Sequence, residues 1–156
     1  GKRDFSIAGS LIGLTGQRLI YLQPASAGWL IAGTVIKGIG LAAVAATVNA
    51  MLADSIEYGQ WKTGVRVEGM VYSGSTFGAK IAAGIASAVP LSVLAAAGYD
   101  GLAAEQSASV LAAIKNMYLL IPAIVLALLP ILYSRYKLDG MYDKIMADLA
   151  KQEKLS

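Results

Sequence analysis

The sequence predicts an all-α membrane protein with four transmembrane helices and an amphipathic helix at its C-terminal end. Hydrophobic residues make up 56% of the 156 residues and charged residues only 15%, whereas soluble domains average roughly 25% charged residues. The apolar residues are also concentrated in four long segments. At about 1.5 Å per residue, segments of this kind can cross a hydrocarbon core about 30 Å thick.

The predicted transmembrane part covers residues 1–137. Its four spans are about residues 5–22, 29–53, 69–97 and 113–133, with a polar cytoplasmic loop over 54–68 between the second and third spans. The first span is the least apolar, because it contains Gln17, Arg18 and several hydroxyl side chains. The last contains Pro122 and Pro130, which membrane helices tolerate when neighbours satisfy the freed carbonyl groups. Because Gly1 is not preceded by a methionine, we interpret it as the start of a segment of a longer protein.

Residues 138–156 differ in character from the spans. Leu138, Met141, Ile145 and Leu149 recur at spacings of three and four, with charged residues between them. This pattern predicts an amphipathic cytoplasmic helix, with Asp139 as a candidate cap. We expect it to lie on the membrane surface or against the 54–68 loop, and the alternative is a solvated, partly frayed tail.

The distribution of basic residues predicts the orientation. If both ends and the 54–68 loop share one side, that side holds nine basic residues: Lys2, Arg3, Lys62, Arg66, Arg135, Lys137, Lys144, Lys151 and Lys154. The two opposite loops hold only Asp100 and Glu105, with Lys115 at the edge of the fourth span. Since basic residues accumulate on the cytoplasmic side, both ends are expected to be cytoplasmic.

Several function classes have no support in the sequence. The chain has no cysteine and no histidine, and it has neither a phosphate-binding glycine loop nor a cluster of metal-ligating residues. Its basic residues are scattered rather than grouped with aromatic residues, so no nucleic-acid partner is expected. The sequence therefore predicts a protein that is not an enzyme and whose surroundings are membrane lipid.

Lys80 is the most informative single residue. It is the only charged residue in the 31 residues from 69 to 99, and a charge near the middle of a span costs at least ~2.5 kcal/mol. Arg18 and Lys37 also lie within spans, but both are near the outer ends and can extend to the interface. Lys80 is too central for that, so we predict that it meets water, a ligand or an acidic group.

Lys80 shares one helix face with small and hydroxyl residues. The face comprises Ser73, Thr76, Lys80, Gly84 and Ser87. Hydroxyl groups beside one ammonium group suit a ligand rich in hydroxyls, such as a sugar. The alternative is close helix packing, since Gly74 and Gly78 form a pair of small residues four apart.

A family resemblance begins at the end of the second span. Residues 53–80 read ADSIEYGQWKTGVRVEGMVYSGSTFGAK. This stretch resembles the loop between the tenth and eleventh helices of the glycoside–pentoside–hexuronide:cation symporters, the melibiose permease-like family of the major facilitator superfamily. The residues that match the family pattern are Ala53, Asp54, Glu57, Tyr58, Gly59, Gln60, Trp61, Lys62, Arg66, Glu68, Gly69, Ser73 and Lys80.

The resemblance implies that the chain is helices nine to twelve of a twelve-helix carrier, in the C-terminal half of a major facilitator fold. It implies that Lys80 and Thr76, with Ser73 nearby, line the central cavity near the sugar and cation sites. The residues that match the family's cytoplasmic gate loop are Asp54, Glu57, Tyr58, Lys62, Arg66 and Glu68.

The implied activity is Na⁺- or H⁺-coupled symport of a sugar or glycoside across a bacterial cytoplasmic membrane. The resemblance implies no cofactor; the full-length carrier binds a coupling cation, whose coordinating aspartates belong to the N-terminal half and have no counterpart in this sequence. Two alternatives remain open: a facilitator of a non-sugar solute, and a small stand-alone membrane protein that forms oligomers.

Overall fold

The structure, a computed structural model, describes residues 1–153, and within that range it is helical without a β-strand. The helices are α1 (Lys2–Leu22), α2 (Ala27–Thr63), α3 (Glu68–Ala96), α4 (Ala108–Ser134), a short 3₁₀-helix (Leu138–Gly140) and α5 (Tyr142–Glu153). Residues 154–156 of the predicted tail, including the predicted cytoplasmic Lys154, lie outside the described residues.

Three helical segments, rather than four, are long and apolar enough to cross a membrane. They are Ala27–Thr63, Glu68–Ala96 and Ala108–Gly140. α1, the predicted first span, is not among them, because its sequence is too polar for its 21 residues. Some of its polar side chains nevertheless face inward, whereas Thr15 and Arg18 are exposed. Ser6, Ser10 and Gln17 are all buried against neighbouring helices.

α1 and α2 run antiparallel and contact each other along the whole length of α1. The contacts pair Lys2 with Asp54 and the Ser6 hydroxyl with the Thr47 hydroxyl. Further along, glycines let the two backbones approach closely. A Cβ atom added to Gly16 would lie 2.5 Å from the backbone nitrogen of Lys37, and one added to Gly40 would overlap the backbone of Gly13. Small residues therefore create this interface.

α4 packs on α1, and α3 stands apart. Leu119 and Leu126 of α4 are buried, and a Cβ atom on Gly13 of α1 would lie 3.0 Å from the Leu126 side chain. α3 has no buried residue. The described core thus lies among α1, α2 and α4, while α3 presents its side chains to the surroundings.

The predicted 54–68 loop is mostly helical, so this boundary was wrong. α2 continues through Thr63, and its 37 residues correspond to about 56 Å, well beyond a hydrocarbon core of about 30 Å. Gly64 ends the helix with a φ of 73°, and its N–H donates to the Gln60 carbonyl at 2.8 Å. Charged residues marked the end of the apolar segment, whereas the helix itself ends at the glycine.

The fourth span and the tail also differ from the prediction. α4 begins at Ala108 rather than near residue 113, because the Ser107 hydroxyl caps it. Asp139 does not cap α5. Its carboxylate instead accepts a hydrogen bond from the backbone N–H of Arg3, 2.8 Å away, at the start of α1.

The tail helix is packed against the bundle. Ile145 of α5 is 1% exposed, and the indole N–H of Trp61 donates to the Asp148 carboxylate at 3.1 Å. The tail therefore docks on the C-terminal end of α2, in the region predicted as the loop. The alternative of a solvated, frayed tail is wrong for the described residues.

Candidate functional site

The structure brings Ser73, Thr76 and Lys80 together along one open groove on α3. The groove has a volume of about 430 Å³, and Tyr72 and Phe77 complete its lining. The Thr76 hydroxyl donates to the Tyr72 carbonyl at 2.9 Å, as hydroxyls in helices commonly do. Aromatic edges, hydroxyls and an ammonium group are the side-chain types that bind a polar, hydroxyl-rich ligand.

Lys80 has no acidic partner within residues 1–153. The ion pairs among these residues all involve other basic groups, at Gly1, Lys2, Arg3 and Arg66. The packing alternative also lacks a partner among the described residues, because a Cβ atom added to Gly74 or Gly78 would meet nothing within 4 Å. The positive charge of Lys80 is therefore available to a group that these residues do not supply.

A second group of predicted residues centres on Asp54, whose exposed fraction is 2%. One carboxylate oxygen accepts from the Lys2 ammonium group at 2.5 Å, and the other accepts from the Tyr136 hydroxyl at 2.7 Å. Asp54 thus joins the start of α1 and the segment after α4 to α2. We call Lys2, Asp54 and Tyr136 the Asp54 cluster.

Glu57 lies one turn beyond Asp54 and faces the tail. Its Oε2 atom is buried and has no hydrogen-bond partner among the described residues. Burial, together with the neighbouring Glu57 carboxylate, raises the pKa of Tyr142. The Lys2 ammonium group also lies 4.6 Å from the centre of the Tyr142 ring, which is within cation–π range.

The other predicted gate residues form separate contacts. The Lys62 ammonium group lies 5.5 Å from the centre of the Tyr58 ring. The Arg66 guanidinium pairs with Glu68 at 3.0 Å, and both side chains are about half exposed. The structure therefore places Asp54 and Glu57 inward. Arg66 and Glu68 lie on the surface, after the end of α2 and at the start of α3.

Sequence reasoning missed the partners of these residues. The charge distribution identifies Lys2 only as a basic residue near Gly1, and no sequence pattern singles out Tyr136 or Tyr142 as site residues. Two features of the sequence could have indicated these contacts. Asp54 is an acidic residue at the end of an apolar span, and Tyr136 and Tyr142 lie at the start of the amphipathic C-terminal segment. Pairing required the antiparallel register of α1 and α2, which sequence spacing alone does not give.

Comparisons with known proteins identify the family. Residues 1–140 match the family described as MFS/sugar transport protein. The chain is 37% identical to the isoprimeverose transporter of Lactiplantibacillus pentosus, over 97% of this chain and 32% of that protein. It is 33% identical to the putative sulfoquinovose importer of Escherichia coli K12, over 70% of this chain and 23% of that protein.

A third relative covers nearly the whole chain. The glucuronide carrier protein homolog of E. coli K12 is 27% identical over 99% of this chain and 34% of that protein. The chain spans about a third of the length of the first of these relatives, and no solved structure matches it. Because these relatives are named as transporters or carriers, the prediction that the chain is not an enzyme is confirmed.

The predicted resemblance is likewise confirmed. The chain is a multi-pass membrane protein that belongs to the MFS/sugar transport family, among its glycoside–pentoside–hexuronide symporter-like members.

Proposed function

We propose that this chain is the C-terminal part of a secondary active transporter that carries a sugar or glycoside together with Na⁺ or H⁺. Family membership supports transport of sugar-like solutes. The relatives are named for isoprimeverose, sulfoquinovose and glucuronides, which suggests a substrate with a glycosyl group.

The observation that carries the proposal is the Lys80 groove. Its ammonium group lies beside the Thr76 and Ser73 positions and has no carboxylate partner within residues 1–153. In transporters of this type, substrate and cation bind near the midplane, between the two halves of the protein. We propose that carboxylates from the other half face Lys80 and that cation binding among them changes their attraction to it.

α1 fits a membrane-spanning role in spite of its polarity. Its 21 residues extend about 31 Å, close to the thickness of the hydrocarbon core, and they follow α2 from Lys2 beside Asp54 to Ile20 beside Gly33. We propose that α1 crosses the membrane with Ser6, Ser10 and Gln17 turned into the bundle. Four crossings then place both ends on the same side.

The basic residues support a cytoplasmic position for that side, in a bacterial cytoplasmic membrane. The Asp54 cluster and the docked α5 would then lie at the cytoplasmic end of the bundle. There, the contacts that Asp54, Glu57, Tyr58, Lys62, Arg66 and Glu68 make are suited to a gate that closes the cavity from the cytoplasm.

The decisive experiment replaces Lys80 in the full-length carrier. Uptake of radiolabelled isoprimeverose and sulfoquinovose is measured in membrane vesicles with a Na⁺ gradient, a H⁺ gradient or neither. Lys80→Val is expected to abolish the cation-dependent part of uptake, while Lys80→Arg retains part of it because the positive charge remains. Lys115→Val is the matched control, since Lys115 is exposed on α4, away from the groove.

Three results would count against the proposal or a part of it. Unchanged affinity and unchanged cation dependence in Lys80→Val would remove Lys80 from the coupling mechanism. If the unmodified carrier takes up either solute equally well with and without a cation gradient, the result would instead favour a facilitator. A carrier that transports neither sugar, and no glucuronide either, would favour a non-sugar solute.

A further inference from the structure

Gln17 is a polar residue in an unusual position. It lies in α1 with 2% of its surface exposed. Its side-chain amide donates two hydrogen bonds into the backbone of α4, to the carbonyl oxygens of Tyr118 and Leu119, each at 3.0 Å. Backbone carbonyls inside a helix normally accept from the N–H four residues later, so a side chain that donates to them needs a reason.

Pro122 supplies the reason. It is four residues after Tyr118, and proline has no backbone N–H to donate to that carbonyl. In a lipid environment no water is present to replace the missing donor, so the Tyr118 carbonyl would otherwise lose its hydrogen bond. The Gln17 amide group occupies this position.

Lys37 of α2 holds the other end of the same amide. Its ammonium group donates to the Gln17 side-chain oxygen at 3.2 Å and lies 5.0 Å from the centre of the Tyr118 ring. A cation on the amide oxygen polarises the amide and strengthens its N–H donors. Lys37 thus contacts a residue of α1 and a residue of α4 at one point.

Contacts of this kind do not accompany the other prolines in helices. The carbonyls freed by Pro90 and Pro130 are those of Ala86 and Leu126. Within residues 1–153, the side-chain hydrogen bonds to backbone carbonyls do not include either one. The contact at Pro122 is therefore specific and is not a general consequence of proline in these helices.

We propose that Gln17 and Lys37 form a clamp that replaces the donor missing at Pro122 and locks α1, α2 and α4 into one unit. Lys37 is a positioning residue that acts through Gln17, so its charge serves neither the substrate nor the membrane interface. The clamp leaves α3, which carries Lys80, outside the unit. The inference rests on the contacts of these residues alone and holds whichever solute the carrier moves.

The test is a double-mutant cycle in the full-length carrier, reconstituted in lipid vesicles, with the thermal unfolding midpoint Tm as readout. Gln17→Met keeps the size of the side chain and removes its donors, and it is expected to lower Tm. Pro122→Ala restores an N–H that can bond to the Tyr118 carbonyl. In the Pro122→Ala background, the loss caused by Gln17→Met is expected to fall to half or less.

Pro130→Ala is the matched control, because it makes the same change in the same helix at a carbonyl that Gln17 does not contact. It is expected to leave the loss caused by Gln17→Met unchanged. Recovery of folded Gln17→Met protein by Pro122→Ala, where the single variant fails to accumulate, also supports the clamp. The clamp is overturned if Gln17→Met lowers Tm equally in the Pro122→Ala and unmodified backgrounds, or if it prevents folding in both.

A separate set of variants tests the role of Lys37 with the same Tm readout. Lys37→Met is expected to lower Tm, and the combination with Gln17→Met is expected to lose less than the sum of the two single losses, because both remove one interaction. Lys37→Arg, which retains a donor for the Gln17 oxygen, is expected to recover part of the loss. Additive losses, or a Lys37→Met variant with unchanged Tm, would show that Lys37 acts independently of Gln17 and overturn its assignment.

Discussion

The hydroxyl of Tyr136 donates a 2.7 Å hydrogen bond to the buried carboxylate of Asp54. This contact joins two residues 82 positions apart in sequence and ties the segment after α4 to α2. The opposite oxygen of the same carboxylate binds Lys2. One buried acid thereby connects three parts of the chain at one end of the bundle.

Removal of this acid should destabilise that end of the protein. Asp54→Ala leaves the Lys2 ammonium group and the Tyr136 hydroxyl without their acceptor. Hydrogen bonds to charged groups are worth about 1.5–3 kcal/mol, and partial exposure of Lys2 places the expected loss toward the lower end. Tyr136→Phe removes one hydrogen bond to the charged carboxylate and should cost about 1.5 kcal/mol. Denaturant unfolding in detergent measures both, and an Asp54→Ala variant as stable as the unmodified protein would contradict the role of the cluster.

Two glycines of α2 should respond oppositely to the same substitution. A Cβ atom at Gly40 would overlap the backbone of Gly13, whereas one at Gly38 would meet nothing within 4 Å. Gly40→Ala is therefore expected to cost about 1–3 kcal/mol through overpacking. Gly38→Ala should be neutral or stabilise α2 by up to about 1 kcal/mol, because alanine favours the helix. Unfolding measurements on both variants check this, and equal effects would show that the α1–α2 interface is not formed as described.

The sequence predicted the helical class and the bounds of α3 closely, because those depend on long apolar segments that a single chain shows directly. The end of α2 was predicted ten residues too early, since Asp54 and Glu57 ended the apolar pattern while the helix continued to Thr63. Gly64 carried the correct signal. A glycine after a basic last turn is a common helix terminus, and it marks the end of the helix better than the first charge does.

The candidate site also has a part that the sequence alone can predict and a part that it cannot. Ser73, Thr76 and Lys80 lie on one helix, so the spacing of three and four residues is enough to place them on a shared face. The Asp54 cluster and the contact of Gln17 with Tyr118 join separate helices. Their formation depends on the relative register of α1, α2 and α4, which close glycine contacts determine and which hydropathy does not reveal.

The tail helix should depend on one buried side chain. Ile145 is 1% exposed, whereas its neighbour Met146 is 39% exposed. Ile145→Ala is expected to weaken docking of α5 by about 2–4 kcal/mol, while Met146→Ala should change it by no more than about 0.5 kcal/mol. Hydrogen exchange of the α5 amides reports docking directly, because an undocked surface helix opens more often. Equal protection of α5 in the two variants would show that Ile145 does not anchor it.

Cysteine labelling tests whether the Lys80 face of α3 lines the transport cavity. The segment contains no cysteine, so single reporters can be placed at Ser73 and at Ala82, about two and a half helical turns further on and on the opposite face. In an otherwise cysteine-free carrier, a small charged thiol reagent should label Ser73→Cys, and the transported sugar should slow that labelling severalfold. Ala82→Cys is the control, and its labelling should not respond to sugar. Protection at position 82 without protection at position 73 would place the cavity on the other face of α3, and the positive charge of Lys80 would then point away from the substrate.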